Sequence, residues 1–404
     1  MKILLSVFAF SPSAGSEAGG GWHFATRLAR EHEVWALTDS SRQAAVESCG
    51  GVLPANLHIV YYRPRLLRRM RLHSKTAHLI YQGWQMGAWR LARRLDKQHG
   101  FDLVWHLTYG VFRQPSWMWK LGKPFVFGPV GGGERAPIRL WRGMPFGEQC
   151  REAARDVFNA VSWRLPGLRA TYRHADLVIA RTEDTRAILP AWVQEKAAVQ
   201  QEIGGYAAKL LPAQRAGHQG RLNILFAGRL LGWKGVHLAI RAVAEYLANG
   251  GAGQFTIVGE GPMAAHLNAL SVRLGVADHI RFVGKVSQEK LFRLYPQFDV
   301  LLFPSLHDSG GYVVIEALSF GLPVVCLDLG GPRSFANESC GVVVAARDRS
   351  EDQVVTALAE ALNGIYSDPD RHRSLCHGAL KRAEELTGAS KNLSTSVIGK
   401  IALS

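Results

Sequence analysis

Short apolar runs that read as strands alternate with helical stretches along the whole chain, in two successive series. In the first, "KILLSVFAF" is followed by the helix-like "GWHFATRLAREH" and then by "EVWALT"; "LHIVYYR", "FDLVWHLT", "KPFVFGPV" and "ADLVIART" come later. These runs are apolar at consecutive positions and rich in β-branched residues, the pattern of strands buried on both faces of a parallel sheet. A second series runs through "LNILFAGRL", "QFTIVGEG", "HIRFVGKV", "FDVLLFPS", "PVVCLDLGG" and "CGVVVA", separated by helical stretches such as "VHLAIRAVAEYLANG". Two such series predict an α/β protein of two Rossmann-like doubly wound domains. The length of 404 residues agrees, since it exceeds what one core usually supports.

The polar stretch "LPAQRAGHQGR" at 211–221 lies between the two series and marks the expected boundary. This divides the chain into a first domain over 1–210, a second over 221–385 and a helical tail over 386–404 that packs back on the first domain. The opening residues have two readings. A secretory leader would have a single lysine and an eight-residue apolar run, Ile3 to Phe10, near the short limit for such a segment. The strand reading explains more, because it supplies the first strand of a series that otherwise lacks one.

Five cysteines are scattered with no C-x-x-C pair, which favours free thiols in a reducing compartment. No run of 18 apolar residues occurs, so no spanning helix is expected. No metal is expected either, since no acidic or histidine cluster has ligand spacing. The formal charge of +15 is uneven: residues 1–210 carry 29 Lys and Arg against 16 Asp and Glu, residues 211–404 carry 19 against 17. The first half therefore expects an anionic partner. Its clearest candidate surface is the acid-free segment from Arg63 to Arg94, where Arg and Lys interleave with Leu, Met, Trp84 and Trp89. That composition suits contact with an anionic membrane; the alternative is a solvated basic face.

Three stretches carry candidate chemistry. In "GSEAGGGW", Gly20 and Gly21 follow the first strand, where open α/β sheets bind ligands, and would allow close backbone approach. In "FAGRLLGWKGVHLAIRA", Arg229 and Lys234 flank a turn between strand and helix, an arrangement able to clamp a diphosphate. In "FPSLHDSGGYVVIEALSFGLPVV", Asp308 and Glu316 stand with seven residues between them around a glycine turn. The amides of Gly310, Gly311 and Tyr312 would be free to hold a phosphate at the helix start. Glu316 lies in an otherwise apolar segment, where a purposeless charge is costly.

The spaced Arg229 and Lys234 after a strand, "VGEGP", and the two acids followed by "EALSFGLPVV" resemble the family-4 retaining glycosyltransferases of the GT-B fold. The likeness is strongest over 222–331. It implies two Rossmann-like domains facing a cleft that holds a nucleotide sugar. By that resemblance Arg229 and Lys234 neutralise the departing nucleoside diphosphate, and Glu316 binds the ribose. Asp308 takes the place of an acid, usually Glu, that contacts the donor sugar. Gly310 and Gly311 offer amides to the sugar or distal phosphate; Gly259, Glu260 and Gly261 line the donor pocket; the loop at Gly284 holds the base. Gly20 and Gly21 approach from the first domain. The family often places a His after a first-domain strand that here reads "PFVFGPVGGGE"; the nearest substitute is His106 in "LVWHLTYG", with a structural role as its alternative. Glu134 is a candidate for acceptor contact.

The resulting expectation is a cytoplasmic, metal-independent, retaining transferase with no cofactor, whose substrate is a UDP- or GDP-sugar. Its expected acceptor is a lipid-linked saccharide in polysaccharide or lipopolysaccharide assembly, with peripheral contact to the inner face of the cell membrane. A small soluble acceptor is the first alternative. A non-catalytic family member is another, because Asp308 and the missing His depart from pattern. The sequence pI of about 9.8 raises nucleic-acid binding, but no binding module is recognisable and no nucleic acid is expected.

Overall fold

The computed structural model of the chain describes residues 1–12, 16–48, 53–70, 72, 76–200, 220–391 and 397–399. The expected boundary at 211–221 lies, up to residue 219, outside the described residues. The strands, in chain order, are β1 (Lys2–Ser6), β2 (Glu33–Asp39), β3 (Leu57–Tyr62), β4 (Leu103–His106), β5 (Phe125–Val130), β6 (Leu177–Ala180), β7 (Ala197–Val199), β8 (Leu222–Ala227), β9 (Gly253–Val258), β10 (Ile280–Gly284), β11 (Val300–Phe303), β12 (Val324–Leu327) and β13 (Gly341–Val344). The first seven form a sheet in the order β3-β2-β1-β4-β5-β6-β7; the last six form another, β10-β9-β8-β11-β12-β13. Both are parallel, as the doubly apolar strands predict.

Two compact units result: Met1–Gly133 with Asn159–Gly205 and Ser390–Ser404, and Glu134–Phe158 with Tyr206–Ala389. In the first unit the period of two along β1 and β4 sorts side chains between two cores. Ile3, Leu5, Leu103 and Trp105 pack with Trp22 and Phe24 of the helix Ser16–Leu28. Leu4 and Val104 join Ile80, Tyr81 and Trp84 of the helix Ala77–His99. A fully buried Ile or Leu contributes ~1.5–3 kcal/mol over an exposed one, which explains why β1 sits inside the sheet between β2 and β4. Val397 of the tail is buried in the first of these cores. One helix runs over Pro369–Lys391, across the expected division at 385 and 386, and the unit boundary falls within it at 389 and 390.

The second unit contains a piece of chain that the sequence division assigned to the first, residues 134–158. The reason is side-chain chemistry over long separations: Gly143 N donates to Glu351 Oε2 at 2.8 Å, and Gly232 N to Glu148 Oε2 at 2.9 Å. The helix Phe146–Ser162 begins in one unit and ends in the other. The four described cysteines, Cys150, Cys326, Cys340 and Cys376, are free thiols.

Candidate functional site

In the second sheet β8 and β11 are neighbours at the point where strand order reverses, the place where doubly wound sheets open a crevice at their C-terminal edge. The connections that follow these two strands are fastened to each other. Leu306 N donates to Trp233 O at 2.8 Å. Gly235 has a φ of +69°, and a Cβ there would lie 1.9 Å from Pro304 O, so only glycine permits this approach. Lys234 Nζ forms an ion pair with Asp308 while lying 4.4 Å and 4.9 Å from the ring centroids of Trp233 and Phe303. Both charged side chains are largely buried, at 12% and 15% exposure.

Asp308 is fully committed. Its Oδ1 accepts from Gly310 N and Gly311 N, each at 3.2 Å. Burial pushes its carboxyl up, but Lys234 and the two amides together hold it below the ordinary value. The Gly310 and Gly311 amides, expected to be free at this turn, are therefore turned to Asp308, a difference from the sequence expectation. Gly311, at φ +54°, caps the helix Tyr312–Ser319, which starts at the crevice edge with the positive end of its dipole. Arg229, just past β8, is exposed, and among the described residues its side chain has no hydrogen bond or ion pair. Lys234 is neutralised by its partner, so Arg229 is the uncompensated cation of the two.

Glu316 lies one turn into that helix and is buried. Its Oε1 accepts from Gln288 Nε2 and its Oε2 from Tyr295 OH, both at 3.0 Å. Burial raises its carboxyl to about 7 against these two hydrogen bonds. No cation balances it among the described contacts. Gly259 N donates to Gly284 O at 2.9 Å, and Leu230 N to Glu260 O at 2.9 Å, which ties the ends of β8, β9 and β10 together. A Cβ on Gly259, whose φ is +148°, would lie 1.8 Å from Gly228 O. The second unit thus brings Arg229, Lys234, Gly259, Glu260, Gly284, Asp308, Gly310, Gly311, Tyr312 and Glu316 to one sheet edge.

Three carboxylates from 134–158 reach the same edge. Glu134 accepts from Ser309 Oγ, beside Asp308. Glu148 accepts from the amide of Gly232. Glu152 Oε2 lies 2.8 Å from His307 Nε2, both side chains being buried, and His307 stacks on Trp233 with centroids 4.5 Å apart. Glu134, the candidate for acceptor contact, stands against the 308–311 turn. Glu148, Glu152, His307 and Trp233 carried no signal in the sequence beyond the i, i+4 spacing of the two glutamates, which solvated helix faces share.

The first-unit candidates fare differently. His106 is 1% exposed in the core; its Nε2 is 3.0 Å from Tyr81 OH and its Nδ1 2.9 Å from Ser116 Oγ. Burial lowers it to about 4, so it is a neutral, doubly engaged core histidine and not a group open to a substrate. Gly20 and Gly21 lie inside the helix Ser16–Leu28 and not in a loop. A Cβ on Gly21 would lie 2.8 Å from Ala9 O, Thr108 Cγ2 and Val7 Cγ2, so this glycine seats the helix on the sheet. At the edge itself stands Glu17, whose Oε1 accepts from Tyr109 N (2.8 Å), Gly110 N (3.2 Å) and an Arg181 guanidinium nitrogen (2.9 Å). Tyr109 has a φ of +61°, a strained conformation for an aromatic residue.

In the 63–94 segment, Arg63 is buried in a two-pronged pair with Asp39 (Nε to Oδ2 2.9 Å, a second nitrogen to Oδ1 2.5 Å), and Trp84 is buried with its Nε1 on Tyr62 O. Both side chains are withdrawn from the surface. Leu66, Leu79 and Met86 are exposed, as are Arg65, Arg68, Arg69, Arg90, Arg93 and Arg94.

Residues 212–381 match the family model described as Glycosyl transferases group 1. Over 171 residues the chain is 33% identical to the D-inositol 3-phosphate glycosyltransferase 2 of Catenulispora acidiphila, covering 40% of this chain and 38% of the relative. The chain spans less than half the length of the curated relatives it matches. Among solved structures it is similar to the sucrose-phosphate synthase of Thermosynechococcus elongatus, with TM-score 0.67, 18% identity and 100% of both chains covered. It is also similar to Anabaena Alr3699/HepE in complex with UDP, with TM-score 0.63, 16% identity and coverage of 99% and 100%. The two parallel-sheet units together have the GT-B glycosyltransferase fold.

Proposed function

We propose that the protein is a retaining glycosyltransferase that takes a UDP- or GDP-sugar as donor at the β8–β11 edge of its second unit. The observation that carries the reading is the pairing of the connections after β8 and β11, with Arg229 and Lys234 at their rim and Glu316 one helical turn away. Departure of a nucleoside diphosphate places negative charge on phosphate oxygen, and an exposed guanidinium beside a helix N-terminus stabilises that charge. Glu316 is set to receive the ribose hydroxyls, its two oxygens already oriented by Gln288 and Tyr295. Asp308 acts here as a positioning residue, holding Lys234 and the 310–311 amides in register. The acceptor hydroxyl oxygen bonds to the anomeric carbon as the carbon–oxygen bond to phosphate breaks. The electron pair leaves with the diphosphate, and the acceptor proton passes to a phosphate oxygen on the same face. That route needs no enzymatic nucleophile, metal or cofactor.

For the acceptor we propose a lipid-linked saccharide of polysaccharide or lipopolysaccharide assembly, reached by a cytoplasmic protein in peripheral contact with the membrane; the basic balance of residues 1–210 supports this. A small soluble acceptor is the second reading. It is favoured by the similarity to a transferase named for inositol phosphate and to a sucrose-phosphate synthase.

Thermal-shift measurements against UDP-, GDP- and ADP-sugars identify the donor, followed by transfer assays with detergent-dispersed and soluble acceptors. Arg229→Ala is expected to weaken donor binding by about 10–100-fold, the equivalent of one charge-assisted hydrogen bond of ~1.5–3 kcal/mol. Binding unchanged in Arg229→Ala, or no nucleotide sugar bound by the wild type, overturns the reading.

A further inference from the structure

The first unit holds a cation that no described residue neutralises. Asp39 closes β2, Arg63 is the first residue past β3, and Tyr109 follows the end of β4, so all three stand at the C-terminal edge of the first sheet. Strand order reverses there between β1 and β4, the position at which a doubly wound sheet receives a ligand. Arg42 ends the single 3-10 turn Ser40–Arg42 that follows β2, and it is half-buried at this edge. Among the described residues its guanidinium has no hydrogen bond or ion pair, and its Nε is shut off from solvent without a partner. Burial pulls Arg42 below the ordinary arginine value; Asp39, Tyr109 and Arg63 are the groups close enough to act on its charge. It remains a cation at any working pH.

The acids within reach are spent elsewhere. Asp39 Oδ1 accepts from Ser41 N at 3.0 Å, Ser41 Oγ at 2.6 Å and a terminal nitrogen of Arg63 at 2.5 Å, and its Oδ2 accepts from Arg63 Nε at 2.9 Å. A carboxylate offers about four lone-pair sites, so Asp39 has nothing left for Arg42. Glu17, the acid that acts on Tyr109, is held by two amides and Arg181. A guanidinium desolvated without a counter-charge destabilises the fold, and an incoming anion relieves that. Tyr109 supplies a second donor. Its ring is packed 5.0 Å from Phe8 and 4.6 Å from Tyr81, centroid to centroid, while its hydroxyl makes no hydrogen bond among the described residues. Its φ of +61°, held by the bond from its amide to Glu17, is the kind of strain that persists at ligand clamps.

We propose that Arg42 and the Tyr109 hydroxyl form an oxyanion-binding site of the first unit, which takes a phosphate or carboxylate group carried by a small molecule or saccharide. Guanidinium N–H groups and a phenol O–H all donate, which suits an acceptor-only ligand of that charge. The site is built on a different sheet from Arg229 and Lys234 and stands apart from the proposed transfer activity.

Calorimetric titration of the full-length chain with glucose 6-phosphate, glucuronate and glucose tests this. At least one of the two anions is expected to bind and glucose is not; the anion that binds tells a phosphate ester from a uronic acid. Arg42→Gln should weaken that binding at least tenfold, the equivalent of one charge-assisted hydrogen bond, and Tyr109→Phe by a smaller factor. Arg42 has no partner to lose, so Arg42→Gln should melt no lower than wild type. Arg229→Ala, in the other unit, should bind the anion as wild type does. The proposal is overturned if neither anion binds, if glucose binds equally well, or if Arg42→Gln binds like wild type. It is equally overturned if Arg42→Gln melts markedly lower, the mark of a structural arginine, or if Arg229→Ala removes the binding. Anion binding without any sugar transfer would count against the proposed function and leave this inference intact.

Discussion

Lys234 and Asp308 are two buried charges that depend on each other. Removing one leaves the other uncompensated, which typically costs about 3–5 kcal/mol. Lys234→Ala is therefore expected to lower the melting temperature markedly, and Lys234→Ala/Asp308→Ala to recover most of that loss without recovering activity. Thermal melts of the single and double variants check this, and equal melting of wild type and Lys234→Ala would refute the coupling. Glu316 makes a pH prediction. Its folded value of about 7 stands above the ordinary 4.5, so the folded protein binds more protons than the unfolded chain between these limits. Stability contributed by this group is greatest below pH 4.5 and is lost as pH rises towards 7, by roughly 3 kcal/mol in all. Glu316→Gln should flatten that slope in urea titrations between pH 5 and 7.5. A ribose hydroxyl needs the carboxylate as acceptor, so donor affinity should weaken as pH falls below 7. The spacing of Asp308 and Glu316 was readable in sequence because a glycine turn opening an apolar helix is a local pattern. That Asp308 would consume the neighbouring amides was not, because its short side chain folds back on its own turn.

At the scale of elements, the strands were the most legible feature. β1 and β4 announce themselves because burial on both faces leaves their successive central positions apolar. The glycine run was misread for a physical reason. Glycine loosens an isolated helix, so "GSEAGGGW" reads as a loop, yet Gly21 is required where the helix Ser16–Leu28 meets Ala9 and Thr108. His106 had two readings in sequence because a strand end at the sheet's C-terminal edge is where ligands bind, while the Tyr81 and Ser116 contacts that favour the structural one lie 25 and 10 residues away. The helix Phe146–Ser162 gave no warning that its acids face inward. Glu148→Ala should leave the buried Gly232 amide without its acceptor, at about 1–3 kcal/mol, and speed hydrogen exchange across 228–235 relative to wild type. Unchanged exchange there would show that the helix does not brace the connection.

For the molecule as a whole, two doubly wound units follow from two runs of alternating elements, and that much was visible before any coordinates. Where one unit stops was not. Composition marks an expected boundary by a shift to polar, Gly- and Pro-containing sequence, as at 211–221, but it is blind to a segment that leaves its neighbours in sequence to pack elsewhere. A protein made of residues 221–391 alone is therefore expected to melt well below the full-length chain, and co-expression with 134–158 to raise it. Calorimetry on the two preparations decides the matter, with identical melting as the outcome against it.

The placement of 134–158 also bears on anyone exchanging the second unit of this chain for that of a related protein. A crossover near 211 would join a foreign second unit to host versions of Glu134, Glu148 and Glu152, so Ser309, Gly232 and His307 would meet strangers. Carrying the segment along does not free the engineer, since its far end lies inside an unbroken helix that must be cut or inherited whole. The halves of this chain are thus poor modules for exchange, and chimeras should be drawn along side-chain pairings instead of at a single cut in sequence.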